Sequence, residues 1–478
     1  MNVHSRTSRR HFLATASTLT GLSLLPIPAI RASVNVDSRQ RPPATKPITI
    51  RTVGANHERE PLLRPYGFKG GSVSESFHSV VLLESTSGKR SVGVSKQSVL
   101  WSDEYVAAVH TYAGGNALMF SVTEYALQLL KGRTFEEPMS LQDEILPDVY
   151  DYASQITRNP GLRMNFVLNA LVGVDHAVWL LYAAENGMES YDEMIPDTYR
   201  PAVSYRHPFV ASIPSLSYNT PVDDFEKLVE EGFFIMKIKI GQPGEQREML
   251  EKDKARLTAI HDRIGDVRTE HTEDGKLPYY LDANGRYEER STVEALLEHA
   301  QKIGAFDQII LLEDPFAVEN KTPVHGLGVT VGSDEGSYDE VTAQERIEQG
   351  YRAFGLKPIA KTLTKMLRVA KVAHDNDLPA YCADLTAYPL LLEWNKSFVA
   401  RLAPFPGLGF TFIEANGHQN YRDWEEQISH HPMPDAPWIR PVDGVYRLPD
   451  TFYTLSGGVL KTAPYYLNLV DPTATASG

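Results

Sequence analysis

The sequence predicts an α/β protein: a (β/α)8-type barrel preceded by a smaller α+β domain. Three observations predict it. From about Ser204 onward, eight short apolar runs alternate with segments of helical periodicity, the pattern of βαβ units around a parallel sheet. Seven of those runs carry a charged side chain at or next to their ends, where a barrel carries its chemistry. The Gly-rich phosphate loop expected after the first strand of a doubly wound open sheet is absent, which disfavours that rival.

The elements follow in order. Residues 1–32 have a basic head, Ser8-Arg9-Arg10-His11-Phe12-Leu13, and an apolar middle, Ala14 to Leu25. That is the build of an export signal, and paired arginines before Phe-Leu resemble a twin-arginine signal. The expectation is an exported, periplasmic protein. Residues 33–46 read as a polar linker. Residues 47–203 read as an α+β domain: strands at Ser79–Ser85 and Val92–Val94, then helices over Asp103–Lys131 and Asn165–Asn186.

Residues 204–416 carry the predicted barrel strands Pro208–Ile213, Phe233–Ile240, Pro278–Asp282, Gln308–Glu313, Val329–Asp334, Ala353–Lys357, Ala380–Asp384 and Phe410–Glu414. Between them lie helical patterns over Val222–Glu231, Glu245–Ile264, Thr292–Ile303, Ala343–Gln349, Thr362–Asp375 and Leu390–Leu402. Residues 417–478 form a tail expected to return to the N-terminal domain.

Composition narrows the function. The 478 residues are 42% hydrophobic and 23% charged, as in an ordinary globular chain. Lys+Arg is 47 against 61 Asp+Glu, a net charge of −14 with no basic block, so nucleic acid is not the expected partner. A single cysteine, Cys382, excludes an internal disulfide. No uninterrupted apolar run is long enough to suggest a membrane span.

Strand two ends Lys237-Ile238-Lys239, strand three Asp282-Ala283-Asn284, strand four Glu313-Asp314-Pro315, strand five Asp334-Glu335, strand six Lys357-Pro358 and strand eight Glu414-Ala415-Asn416. Residues i and i+2 share a strand face, so Lys237 and Lys239 point together, as do Asp282 and Asn284. Each motif alone reads as a strand exit, a turn or a helix start. In this order, each at the end of its own strand, they read as a site. Three acids from adjacent strands would be costly side by side unless a cation neutralises them, and oxygen donors suit Mg2+.

These motifs resemble the enolase superfamily, and more closely its mandelate racemase and muconate-lactonizing branch. Lysines on strands two and six, rather than the Asp/His dyad of mandelate racemase, resemble the muconate-lactonizing subgroup. The resemblance implies a capping domain over the barrel and one Mg2+ held by Asp282, Glu313 and Asp334. It implies that a proton α to the carboxylate of a small substrate is removed through an enolate, giving racemisation, epimerisation or cycloisomerisation. Lys239 and Lys357 would be the acid/base pair, and Lys237 would bind substrate. Asp384 and Glu414 would also face it, and Asn284 and Glu335 would orient the lysines and ligands from behind. Lys237 beside Lys239, with the dication nearby, is expected to push the Lys239 pKa down.

The resemblance also implies two cap loops that close the site, here Arg64–Ser72 and Ser98–Ser102, with Tyr66, Phe68, Lys69 and Trp101. Two departures leave the substrate open. Lys361-Thr362-Leu363 stands where a glycine pair is common, and Glu414-Ala415-Asn416 replaces the Asp-x-Asp of dipeptide epimerases. An acid-sugar dehydratase is the alternative reaction, and a non-catalytic exported binding protein the alternative class. If neither lysine is the base, Asp384 or His418 becomes the candidate. Whether the chain forms a homo-oligomer is open.

Overall fold

The computed structural model describes residues 33–34 and 45–471. The predicted signal, residues 1–32, and most of the linker lie outside the described residues. Ser33–Val34 pairs antiparallel with Tyr205–Arg206.

The N-terminal domain is built on a long antiparallel hairpin, Ile48–Phe68 with Gly71–Ser85, extended by Arg90–Gln97. The hairpin turns in two residues, Lys69 and Gly70, both at positive φ (50° and 70°). That is the backbone twist that joins right-twisted strands. Arg64–Ser72 is therefore a strand-turn-strand tip rather than a loop. Ser98–Ser102 is likewise mostly a short helix, Val99–Ser102.

Strand Ile48–Phe68 escaped the sequence because charged residues such as Arg51, Glu58 and Arg59 break its alternation on a face turned partly to solvent. The helices Glu104–Leu130 and Met164–Asn186 lie close to their predicted positions. Pro138–Thr157 was not foreseen, because Pro147 interrupts its pattern. Asp103 caps the first of these helices by accepting the Val106 amide at 2.9 Å.

Helix Met164–Asn186 lies flat on the sheet because two glycines face each other. A Cβ on Gly93 would sit 1.9 Å from the Gly173 carbonyl oxygen. The same helix is long and apolar enough to cross a membrane, with mean hydropathy 1.5, but 94% of that stretch is buried within the fold.

All eight predicted barrel strands form, trimmed by a few residues: Phe209–Ile213, Met236–Lys239, Tyr279–Asp282, Ile309–Glu313, Val331–Ser333, Ala353–Leu356, Ala380–Cys382 and Phe412–Glu414. Each pairs in parallel with the next, and strand eight pairs with strand one. Strand one resumes after Pro214 as Ser215–Leu216, which pairs with strand two and closes the ring. Register places Asp282 beside both Lys239 and Glu313. Aromatic rings fill the interior, with Tyr381 packed on Tyr280 and Phe412.

The tail divides its contacts. Val445–Arg447 pairs antiparallel with barrel strand one. The helix Pro464–Val470 reaches the cap sheet, where Asn56 Nδ2 donates to the Leu469 carbonyl at 2.7 Å.

Candidate active site

The strand ends converge on a pocket at the C-terminal mouth of the barrel, roofed by the cap. Lys237, Lys239, Lys357 and Glu414 line it from below, and Tyr66, Phe68, Ser98 and Trp101 from above. Lys69 does not line it. That side chain is buried in the cap, ion-paired to Glu335 at 2.6 Å and Glu104 at 3.2 Å, and donates to the Trp101 carbonyl at 2.9 Å.

Lys237 is the hub. Its Nζ lies 2.9 Å from Asp282 Oδ2 and 2.8 Å from both Glu313 Oε2 and Glu414 Oε2. It also donates to the Tyr280 hydroxyl at 3.0 Å. Burial would strip its proton, but these carboxylates outweigh burial and hold its pKa well above the usual lysine value.

Lys239 pairs with Asp282 Oδ2 and donates to Asn284 Oδ1 at 2.8 Å. Burial does favour the neutral amine, but Asp282 lies against both lysines, and the net shift is upward. Lys357 pairs with Asp334 and is also shifted upward, Asp334 outweighing burial.

The acids respond in kind. Burial opposes ionisation of Asp282 and Asp334, but their lysines win and both are held below the carboxylate range. Glu313 goes the other way. Burial, with Asp282 and Asp334 close by, outweighs Lys237 and pushes its carboxyl up to about 8. Its Oε1 accepts the Tyr381 hydroxyl at 2.8 Å.

Glu335 turns away from Asp334, as strand alternation requires, and takes Lys69 and, at 3.3 Å, Asn284 Nδ2. Asn284 sits at φ 45°, a left-handed position that asparagine tolerates, next to Gly285. Asp384 lines the pocket, yet its oxygens accept the backbone amides of Leu385, Ala387 and Asn416 at 2.7, 3.0 and 3.0 Å. Glu414 Oε2 is shared between Lys237 and the Asp384 amide. Both acids are thus tied to internal partners. His418 does not line the pocket and stacks on Phe233.

The sequence missed two lysines. Lys361 is fully buried and donates to Asp334 Oδ1 at 3.1 Å and to the Ser337 and Gly355 carbonyls at 3.1 Å each. The alignment of Lys357 and Lys361 four apart, around one turn, was its only available signal. Lys96 enters the pocket from the cap strand Arg90–Gln97.

The residues fit a divalent cation by donor chemistry. Asp282, Glu313 and Asp334 offer oxygen alone, on three neighbouring strands. A Cβ on Gly355 would lie 3.0 Å from Asp334 Cβ and 3.1 Å from Glu313 Oε1, so those two side chains are neighbours. Their oxygens face ammonium groups rather than one shared point. Among the described residues no three acidic, histidine or cysteine side chains close on a common centre.

Residues 222–452 match the family described as Enolase C-terminal domain-like. No curated protein matches the chain by sequence. Similar solved structures include a dipeptide epimerase from Enterococcus faecalis complexed with Mg and the dipeptide L-Leu-L-Tyr. It is 16% identical with TM-score 0.54, over 78% of this chain and 92% of that one. Another is L-talarate dehydratase from a Polaromonas species complexed with Mg and L-glucarate, 16% identical, TM-score 0.54, over 84% and 93%. A third is N-succinyl Arg/Lys racemase from Bacillus cereus, 15% identical, TM-score 0.55, over 79% and 89%. At these identities the likeness is one of fold. Residues 222–452, which hold the strand ends carrying these lysines and carboxylates, are thus similar to the domain of that family.

Proposed function

We propose that the chain is a Mg2+-dependent enzyme of the muconate-lactonizing type, which removes the proton α to a carboxylate and returns a proton elsewhere or on the other face. The observation that carries the reading is that Lys239 and Lys357, from strands two and six on opposite sides of the ring, line one pocket. Asp282, Glu313 and Asp334 would hold the ion, which when bound supplies positive charge to the substrate carboxylate as a second negative charge develops. Lys237, flanked by carboxylates, keeps its proton and offers a fixed cation to the same group.

Lys239 becomes a base only when it releases Asp282 and gives up its proton. Lys357 stands in the same relation to Asp334. Tyr66, Phe68 and Trp101 exclude water from above. Isomerisation is favoured over sugar-acid dehydration because Asp384 and Glu414, whose carboxylates would suit a polyhydroxylated or cationic substrate, are engaged internally. The test is NMR in deuterated water with Mg2+ across N-acyl amino acids, dipeptides and acid sugars. The expected result is α-proton exchange with an isomer of equal mass. Loss of water would favour the dehydratase, and binding without exchange a non-catalytic binder.

The proposal includes export through the twin-arginine route. Arg9→Lys with Arg10→Lys should leave the precursor in the cytoplasm, and normal export of that variant would overturn it.

A further inference from the structure

Lys96 differs from the other pocket lysines in its partners. Lys237, Lys239 and Lys357 each touch a carboxylate. Among the described residues Lys96 forms no ion pair, and its one hydrogen bond is a long one, 3.3 Å to the Thr386 carbonyl. An ammonium has three donors, so two remain unused. The side chain is only 3% exposed. A buried cation without a contact anion is expensive. Burial lowers its pKa to about 7, with Asp384 opposing. Asp384 acts on it through charge alone and makes no contact ion pair, its oxygens accepting three backbone amides.

Lys96 is also held in place. It pairs with His78 across the cap sheet, and its carbonyl accepts Asn169 Nδ2 at 2.9 Å. From there it reaches Thr386, just beyond barrel strand seven. Asp282, Glu313 and Asp334 end or follow strands three, four and five, on the other side of the ring. A substrate whose reacting carboxylate lies among those acids and their lysines presents its far end to Lys96. The wall between is apolar and aromatic: Phe68, Val73, Trp101 and Leu385.

We propose that Lys96 receives a second carboxylate on the substrate, so that this pocket selects dianionic acids with one charge at each end. The proposal rests on the reading that the pocket binds a carboxylate substrate. An anion at Lys96 would complete the one pocket cation that the fold leaves without a contact anion among the described residues.

The test is calorimetric binding of matched pairs to the full chain with Mg2+: L-Ala-L-Glu against L-Ala-L-Gln, glucarate against gluconate, and N-succinyl-alanine against N-butyryl-alanine. The dianion of at least one pair should bind about tenfold or more tightly, a preference that Lys96→Met and Lys96→Gln reduce to within about twofold and Lys96→Arg partly keeps. Equal affinity within every pair for the wild-type chain overturns the proposal, whatever the variants do. So does a preference that survives in folded Lys96→Met, with folding checked by its melting transition. Exchange in deuterated water separates this proposal from the catalytic one. Dianion preference without exchange keeps Lys96 and removes the enzyme reading. Exchange that is indifferent to the second charge keeps the enzyme reading and removes Lys96.

Discussion

Lys357 Nζ lies 4.7 Å from the centre of the Trp101 ring, so a barrel lysine and a cap aromatic share one wall of the pocket. The contact joins the chemistry of strand six to the closure of the roof. A cation over an indole face is stabilised by roughly 0.5–2 kcal/mol. Trp101→Ala removes both that contact and the wall, and is expected to raise KM about tenfold or more. Steady-state kinetics check it, and an unchanged KM would remove Trp101 from the substrate wall.

The carboxylates make a second prediction. Asp282→Asn and Glu313→Gln should lower turnover by about 10²-fold or more. Both should also weaken Mg2+ binding measured by calorimetry, while leaving the melting transition near that of the wild type. Full activity after treatment with EDTA would contradict the assignment of these residues.

Asp175 gives a pH prediction away from the site. It lies on the cap helix and accepts the Leu363 amide at 2.8 Å, the Thr364 amide at 3.3 Å and the Thr364 hydroxyl at 2.6 Å, tying cap to barrel. Burial nonetheless outweighs these bonds and pushes its carboxyl up from 3.8 to about 6. A carboxyl with a raised folded pKa favours the native state most when protonated. Its contribution is full below about pH 4 and is lost as pH rises through about 6. Relative to Asp175→Asn, the wild type should lose on the order of 2 kcal/mol between those limits, read from urea midpoints. A flat difference would show that the carboxyl titrates normally.

Gly93 tests the packing that seats the cap helix. Gly93→Ala would place its Cβ 1.9 Å from the Gly173 carbonyl and 2.7 Å from the Ala177 amide, both backbone atoms that cannot swing aside. The expected cost is about 3 kcal/mol or more in denaturant unfolding. A cost under about 1 kcal/mol would mean that the helix shifts freely.

Much of this was legible in the chain. Buried parallel strands read as apolar runs, and a charge such as Lys239, Asp282, Glu313 or Lys357 at the end of most runs marked the barrel mouth. What stayed hidden depends on distant partners. Asp384 looks like a free acid at a strand end, and only the fold brings the Asn416 amide to it. Lys96, in Ser95-Lys96-Gln97, reads as a solvated strand residue until Thr386 arrives from the barrel. Lys69 reads as a mobile loop cation, but its partner Glu335 lies far along the chain. The Asp282 carboxylate shared by Lys237 and Lys239, which raises the pKa of both, is likewise invisible in the sequence.

The most direct test of the account is α-proton exchange by NMR in deuterated water, on both enantiomers of a substrate, for wild type, Lys239→Ala and Lys357→Ala. If the two lysines serve opposite faces, each variant should lose exchange from one enantiomer and keep it from the other, with racemisation falling by about 10²–10⁴-fold in both. In a cycloisomerase the loss would be one-sided, with one lysine required for exchange and the other only for a later step. Wild-type exchange and turnover in both single variants would contradict the central claim that these lysines move the proton.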